Sequence, residues 1–172
     1  HLTGSDPARQ MKLAVMQPYF LPYLGYFDLA NMVDLWIVYD TSQYIRHGWM
    51  NRNRVLHPAS GWQYIVAPVK KHRLGTPIHQ IEFAAEADWK TRIFRQLEHY
   101  RMDAPHYDPV VTLLKDALAE ADTRLARVNT CLFQRTCESL GIRTPIHIFS
   151  EMRLPIGPVQ SAEELALAIC RA

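Results

Sequence analysis

Between Asp40 and Glu82 the chain carries no acidic residue at all. The same interval holds Arg46, Arg52, Arg54, Lys70, Lys71 and Arg73, a local balance of +6 inside a chain whose net charge is +2. A one-sign segment of this kind either focuses potential towards anionic partners or is a solvated basic face. Cysteine is scarce too. Cys131, Cys137 and Cys170 make no disulfide framework and match no zinc spacing. The first two fall six apart on an expected helix, which reads as core thiols. No apolar run reaches the roughly 18–20 residues that a membrane span needs, and no secretory signal precedes the first apolar run. Internal repeats, low-complexity segments, a Gly-rich phosphate loop and a metal-ligand cluster are all missing. The expectation is a cytoplasmic protein with no membrane partner and no obligatory metal.

What is present is concentrated near the start. Residues 1–10 read as an expression-vector remnant and Met11 as the natural start, so residues 11–172 are expected to form one α/β domain. Leu13 to Met16 is an apolar run of strand length. Pro18 and Pro22 then stop either regular structure, and Gly25 leads into a helix-like pattern of Phe27, Leu29, Ala30 and Val33. A second apolar run, Leu35 to Tyr39, ends at Asp40. This order is a β-α-β unit, and the fold class expected is α/β: a Rossmann-like, mostly parallel sheet with a helical C-terminal portion.

Downstream, Thr41 to Leu56 reads as a long loop, Trp62 to Ala67 as a strand stopped by Pro68, and Lys70 to Gly75 as a basic turn. Pro77 to Phe83 is expected to be another strand. Asp88 is expected to cap a helix from Trp89 to about Tyr100. Asp108 and Pro109 are expected to cap and open a helix through Leu118. A further helix is expected from about Thr123 to Leu140, stopped by Gly141. Thr144 to Phe149 reads as a strand, and Pro155, Gly157 and Pro158 as a loop. Ser161 and Glu164 have capping-box spacing for a last helix through Cys170. The chain ends there without a further strand, so a missing C-terminal portion is expected.

Ligands in such sheets sit where strand carboxyl ends meet helix amino ends. The first loop places Gln17, Tyr19, Phe20, Tyr23, Gly25 and Tyr26 there. They are either amphipathic aromatics closing the end of a sheet or pocket walls with amide and phenol donors. The next loop adds Tyr44, Trp49, Asn51, Arg52, Asn53 and Arg54. Arginine grips carboxylate or phosphate with paired hydrogen bonds, while asparagine donates and accepts. Asn51 and Arg52 are the candidate catalytic residues together with Asp40, which is a general base, a ribose acceptor or a capping carboxylate. His47 is an acid–base partner or merely exposed.

The run Met16 to Phe27, with Tyr39-Asp40, Gln43 to Ile45, Gly48-Trp49 and Asn51 to Arg54, resembles the WbqC-like family. The resemblance extends through the Trp62-to-Pro68 strand, Trp89-Lys90, Tyr100 and Ala104-Pro105, and covers nearly all of the chain from Met11. It implies a role in the biosynthesis of O-antigen and other surface polysaccharides or of secondary metabolites. The reaction implied is transfer or condensation onto an amino-sugar or similar small substrate. The Tyr23-Leu-Gly25-Tyr26 segment is also similar to the His-x-Gly-His unit of nucleotidyltransferases and pantothenate-synthetase-like ligases, with tyrosine at both histidine positions.

Three functions follow as expectations. The first is a transferase or condensing enzyme acting on a small anionic or nucleotide-linked substrate. The second is an ATP- or nucleotide-dependent ligase with an altered site, which would make a nucleotide the cofactor. The third is a protein that binds RNA, including tRNA, or an aminoacyl-tRNA-dependent transferase.

Overall fold

The computed structural model describes residues 10–84, 88–119, 122–154, 156–157 and 161–171. The expected remnant falls outside these residues apart from Gln10, as do Pro155 and Pro158. Strand β1 (Leu13–Met16) runs through the proline loop into helix α1 (Leu24–Met32), which returns the chain to strand β2 (Leu35–Val38). β2 lies parallel to β1, with Leu13 opposite Leu35 and Met16 opposite Val38. The third strand comes from far along the chain. In the final numbering it is β5 (Ile146–Ile148), parallel to β2 on its other side, giving the order β1-β2-β5. β2 is therefore central and covered on both faces: Trp36, Ile37 and Val38 are all buried. That burial is why it reads as a continuous apolar run instead of an alternating one.

A second layer begins with an antiparallel hairpin, β3 (Arg52–Leu56) and β4 (Trp62–Val66). Helices α2 (Trp89–Leu97), α3 (Tyr107–Leu118) and α4 (Leu125–Ser139) pack behind it. The largest apolar cluster lies here and includes Phe20, Met50, Ile65, Ile78, Trp89, Ile93 and Leu114. α4 serves both layers. Leu125, Ala126 and Leu132 face this cluster, while Phe133 and Cys137 face the sheet beside Trp36. Helix α5 (Ala162–Arg171) closes the described chain against β1.

Several local expectations meet the structure directly. Asp88 accepts from the Thr91 amide at 3.3 Å, and Ser161 Oγ accepts from the Glu164 amide at 3.1 Å. Gly141 ends α4 with φ of 76°, the left-handed conformation that glycine adopts without a Cβ penalty. Others are corrected. Arg52 to Leu56 is a strand, not loop: its polar sequence hides a pairing that only β4 supplies. Pro77 to Phe83 is not a strand but a 3-10 turn over Ile78–Gln80, flanked by single bridges of Gln43 to Pro77 and Val69 to Phe83. Its apolar residues Ile78, Ile81 and Phe83 are all buried at turn spacing, not on alternate faces. The α-helix from Trp89 ends at Leu97 and tightens into a 3-10 turn over Glu98–Met102. α3 starts at Tyr107 behind His106, which puts Asp108 and Pro109 inside its first turn, where a missing N–H costs nothing.

Phe20 marks the junction of the two layers. Although it sits in the proline loop, it has no exposed surface and meets Phe83 and Trp89 edge-on at 6.2 and 6.3 Å. Phe20→Ala should lower unfolding free energy by about 3–5 kcal/mol in a urea titration, the cost of an unfilled aromatic site.

Candidate functional site

The first loop folds onto itself. Tyr26 is buried, stacks on Tyr19 with ring centroids 5.2 Å apart, and packs against Trp36 and Phe133. Its hydroxyl donates to the Gln17 carbonyl at 3.3 Å. Burial, followed by the neighbouring phenols of Tyr19 and Tyr23, pushes its pKa well above the ordinary tyrosine value. Tyr23 is exposed and rests edge-on against Tyr26. Gly25 is what allows this: a Cβ there would lie 2.4 Å from Tyr23 Cε2. The Gln17 side chain donates to Ser42 Oγ at 3.0 Å. Phe20 belongs to the core, leaving no surface for a ligand. Leu21 carries a φ of 49°, unusual for a branched residue, and is held there by Asn53, whose amide donates to the Phe20 and Leu21 carbonyls.

Asp40 lies at the carboxyl end of the central strand, as the sequence requires, but it is enclosed. It is 1% exposed, and its carboxylate accepts from the Ser150 amide at 3.0 Å and from Ser150 Oγ at 2.6 Å. Its carbonyl accepts from the His79 amide at 2.9 Å. Of the roles open to Asp40, this geometry is that of the capping carboxylate. It fastens the turn after β5 to the end of β2.

The other candidates converge on the hairpin. Tyr44 is buried and donates to Asn51 Oδ1 at 2.9 Å, while Asn51 Nδ2 donates to the Ala67 carbonyl at 3.0 Å. The Tyr44 ring meets His72 edge-on with centroids 5.0 Å apart. Burial raises the pKa of Tyr44, and the guanidinium charges of Arg52 and Arg46 partly oppose that rise. Arg52 donates to the His47 carbonyl, steadying a residue with φ of 62°, and lies over the Tyr64 ring at 4.5 Å. Two polar atoms of this cluster are buried without a partner: Arg52 Nε and His72 Nε2. A buried unpaired donor or acceptor costs about 1–3 kcal/mol, so each is a place where a water or a ligand atom would be bound. His72 Nδ1 contacts the Lys70 carbonyl at 3.0 Å, so that nitrogen carries the proton and Nε2 is the acceptor of the neutral ring. Beyond Arg52, Arg54 lies between two indoles, 5.3 Å from Trp49 and 5.0 Å from Trp62.

The structure therefore brings Tyr44, Asn51, Arg52, Trp49 and Arg54 together, and leaves Gln17, Tyr19, Tyr23, Gly25 and Tyr26 in a separate loop. Asn53 binds backbone. His72, Arg46, Trp62 and Tyr64 complete the cluster; the sequence signal for the last two was the i, i+2 spacing on both strands, legible once Arg52 to Leu56 is a strand. A narrow cleft in the first loop is lined by Gln17, Tyr19, Tyr26 and Asn129 among others, and larger hollows lie elsewhere. A polar one of about 500 Å³ lies along α4 near the end of β5 and is lined by Arg127, Gln134, Arg135 and Glu151 among others. An apolar one of about 370 Å³ is lined by Leu21, Phe27, Val55, Leu113 and Leu140 among others. No group of three His, Cys, Asp or Glu among the described residues could hold a metal ion. Burial pushes the Cys137 thiol up to about 11, which keeps it protonated and unreactive at neutral pH. No helix among the described residues is long and apolar enough to cross a membrane.

The two buried phenols set an alkaline limit. Their pKa values are raised in the folded state, so their contribution is intact below about pH 10, the ordinary tyrosine value. Above it the unfolded chain ionises first, and stability falls as pH climbs towards the raised values. Urea midpoints should therefore drop above about pH 10, and Tyr26→Phe should flatten that drop.

A model described as the WbqC-like protein family matches residues 17–172. The uncharacterized protein Rv1507c of Mycobacterium tuberculosis is 36% identical over 135 residues, which are 77% of this chain and 58% of that protein. The chain thus spans less than two thirds of this relative's length. No solved structure matches. The family match covers the proline loop, the guanidinium cluster and every helix described above, and the chain belongs to the WbqC-like protein family.

Proposed function

We propose that the protein is a transferase or condensing enzyme of surface-polysaccharide or specialised-metabolite biosynthesis. Its substrate is small and anionic or nucleotide-linked, and the reaction forms an amide on an amino group. The observation that carries this reading is the pair of buried, unpartnered nitrogens, Arg52 Nε and His72 Nε2, in the surroundings of Tyr44. Neither Arg46 nor Arg52 is matched by a carboxylate among the described residues, in a segment without acids, so both are free to hold a substrate's negative charge. Tyr44 and Asn51 fix the position of this pair by their mutual hydrogen bond. As the amine attacks the carbonyl of an activated acyl donor and displaces the donor's leaving group, His72 Nε2, an acceptor while the ring is neutral, takes the proton that the amine loses. Asp40, sealed by Ser150, acts as a positioning residue that keeps the carboxyl end of the sheet closed. Cytoplasmic action fits this reading.

Isothermal titration with ATP, a nucleotide sugar and free amino acids tests it. At least one of these probes should release heat, and Arg52→Ala should weaken its binding about tenfold to a hundredfold, the loss of a charge-assisted contact. Heat from ATP alone would favour the nucleotide-dependent ligase. If no probe binds, or if Arg52→Ala binds as tightly as the parent protein, the proposal fails.

A further inference from the structure

The hairpin carries more than the anion cluster. Its register sets Arg52 opposite Val66, Arg54 opposite Tyr64 and Leu56 opposite Trp62, so all six side chains stand on one face. The other face is spent on the interior, where Ile65 is buried and Val55 packs against the main cluster. On the outer face the charges and rings alternate: Trp49, Arg54, Trp62, Tyr64, Arg52. Arg54 lies within 5.3 Å of one indole and 5.0 Å of the other, Trp62 meets Tyr64 edge-on at 5.0 Å, and Arg52 covers Tyr64 at 4.5 Å. Trp62 is 52% exposed and Trp49 36%. Two indoles held in water by an arginine between them are costly for a surface whose only task is to stay soluble.

We infer that this row of rings and guanidinium groups binds single-stranded nucleic acid. Bases stack on the open faces of Trp62 and Trp49, and phosphates are met by Arg54, Arg52 and Arg46. The chemistry selects this partner over others. A neutral glycan would use the rings but has no need of cations between them. A lone nucleotide is normally enclosed in a hollow, whereas these rings lie on an open strand face that suits a polymer passing over it. The acid-free stretch from Thr41 to Ile81 leaves the hairpin's own strands without a carboxylate to repel a phosphate chain. This reading shares Arg52 and Arg46 with the small-substrate site, but it depends on the two tryptophans and Arg54 and not on His72.

Fluorescence anisotropy of labelled oligouridylate and matched oligodeoxythymidylate, each of roughly 12 nucleotides, tests the inference with the full chain. Binding at roughly micromolar protein is expected, weakening steeply between about 50 and about 200 mM salt. Trp62→Ala should reduce affinity about tenfold, and Arg54→Gln should lower the slope of log K against log salt by about 0.7. Circular dichroism should show both variants folded, since both side chains are on the surface. Preference for the RNA strand would assign RNA as the partner; equal affinity would leave single strands of either sugar. No change in anisotropy would overturn the inference. So would binding that Trp62→Ala leaves intact or that dextran sulfate or polyglutamate displaces at matched charge, since that is unspecific attraction between charges without stacking.

Discussion

One side chain ties the two layers of this protein together. Asn129, from the middle of α4, has no exposed surface, and its amide donates to the Pro18 carbonyl at 2.8 Å and to the Met50 carbonyl at 2.7 Å. Pro18 belongs to the loop after β1, and Met50 to the segment leading into the hairpin. Both carbonyls are deep enough that water cannot serve them, so the amide does what a strand or helix partner would otherwise do. Asn129 Oδ1 is left without a partner, a sign that the site exists to hold two backbones in place and not to satisfy the asparagine.

From that tie the rest of the site follows. With the proline loop fixed, Phe20 drops into the main core, and its amide donates to the Trp49 carbonyl at 2.9 Å. From the hairpin side, the Asn53 amide then donates to the Phe20 and Leu21 carbonyls. Trp49, so anchored through its backbone, can present its ring to Arg54 while half of its neighbour Trp62 stays in water. The aromatic residues of the two loops thus part company. Those after β1 stabilise the sheet end, and those around the hairpin are offered outward between arginines. Guanidinium groups suit the second setting because they stack on rings with little loss of hydration and keep edge donors for a phosphate or carboxylate.

The parallel β-α-β unit, the Asp88 and Ser161 caps and the Gly141 stop were legible because each rests on chemistry confined to a few neighbouring residues. The same local rules misread Pro77 to Phe83, where an apolar spacing of three suits a turn as well as an imperfect strand. They also missed β3, since Arg-Asn-Arg has no apolar alternation to report. Of the candidate site, residue types were legible and grouping was not. Tyr26 and Tyr44 look alike in sequence, yet one packs beneath Trp36 and the other beside His72.

By itself, then, the sequence determined the sheet's first crossover, the Asp88 and Ser161 caps with the Gly141 stop, and a long stretch of positive charge free of acidic residues. Tertiary structure decided which aromatics are interior, that Asp40 is closed off by Ser150, and that arginines at alternate positions share a face with Trp62 and Tyr64. The physical reason is range. Proline, glycine and capping side chains act within a turn of the backbone, whereas the contact between Asn129 and Pro18 joins residues 111 positions apart and exists only when the whole chain has closed around it.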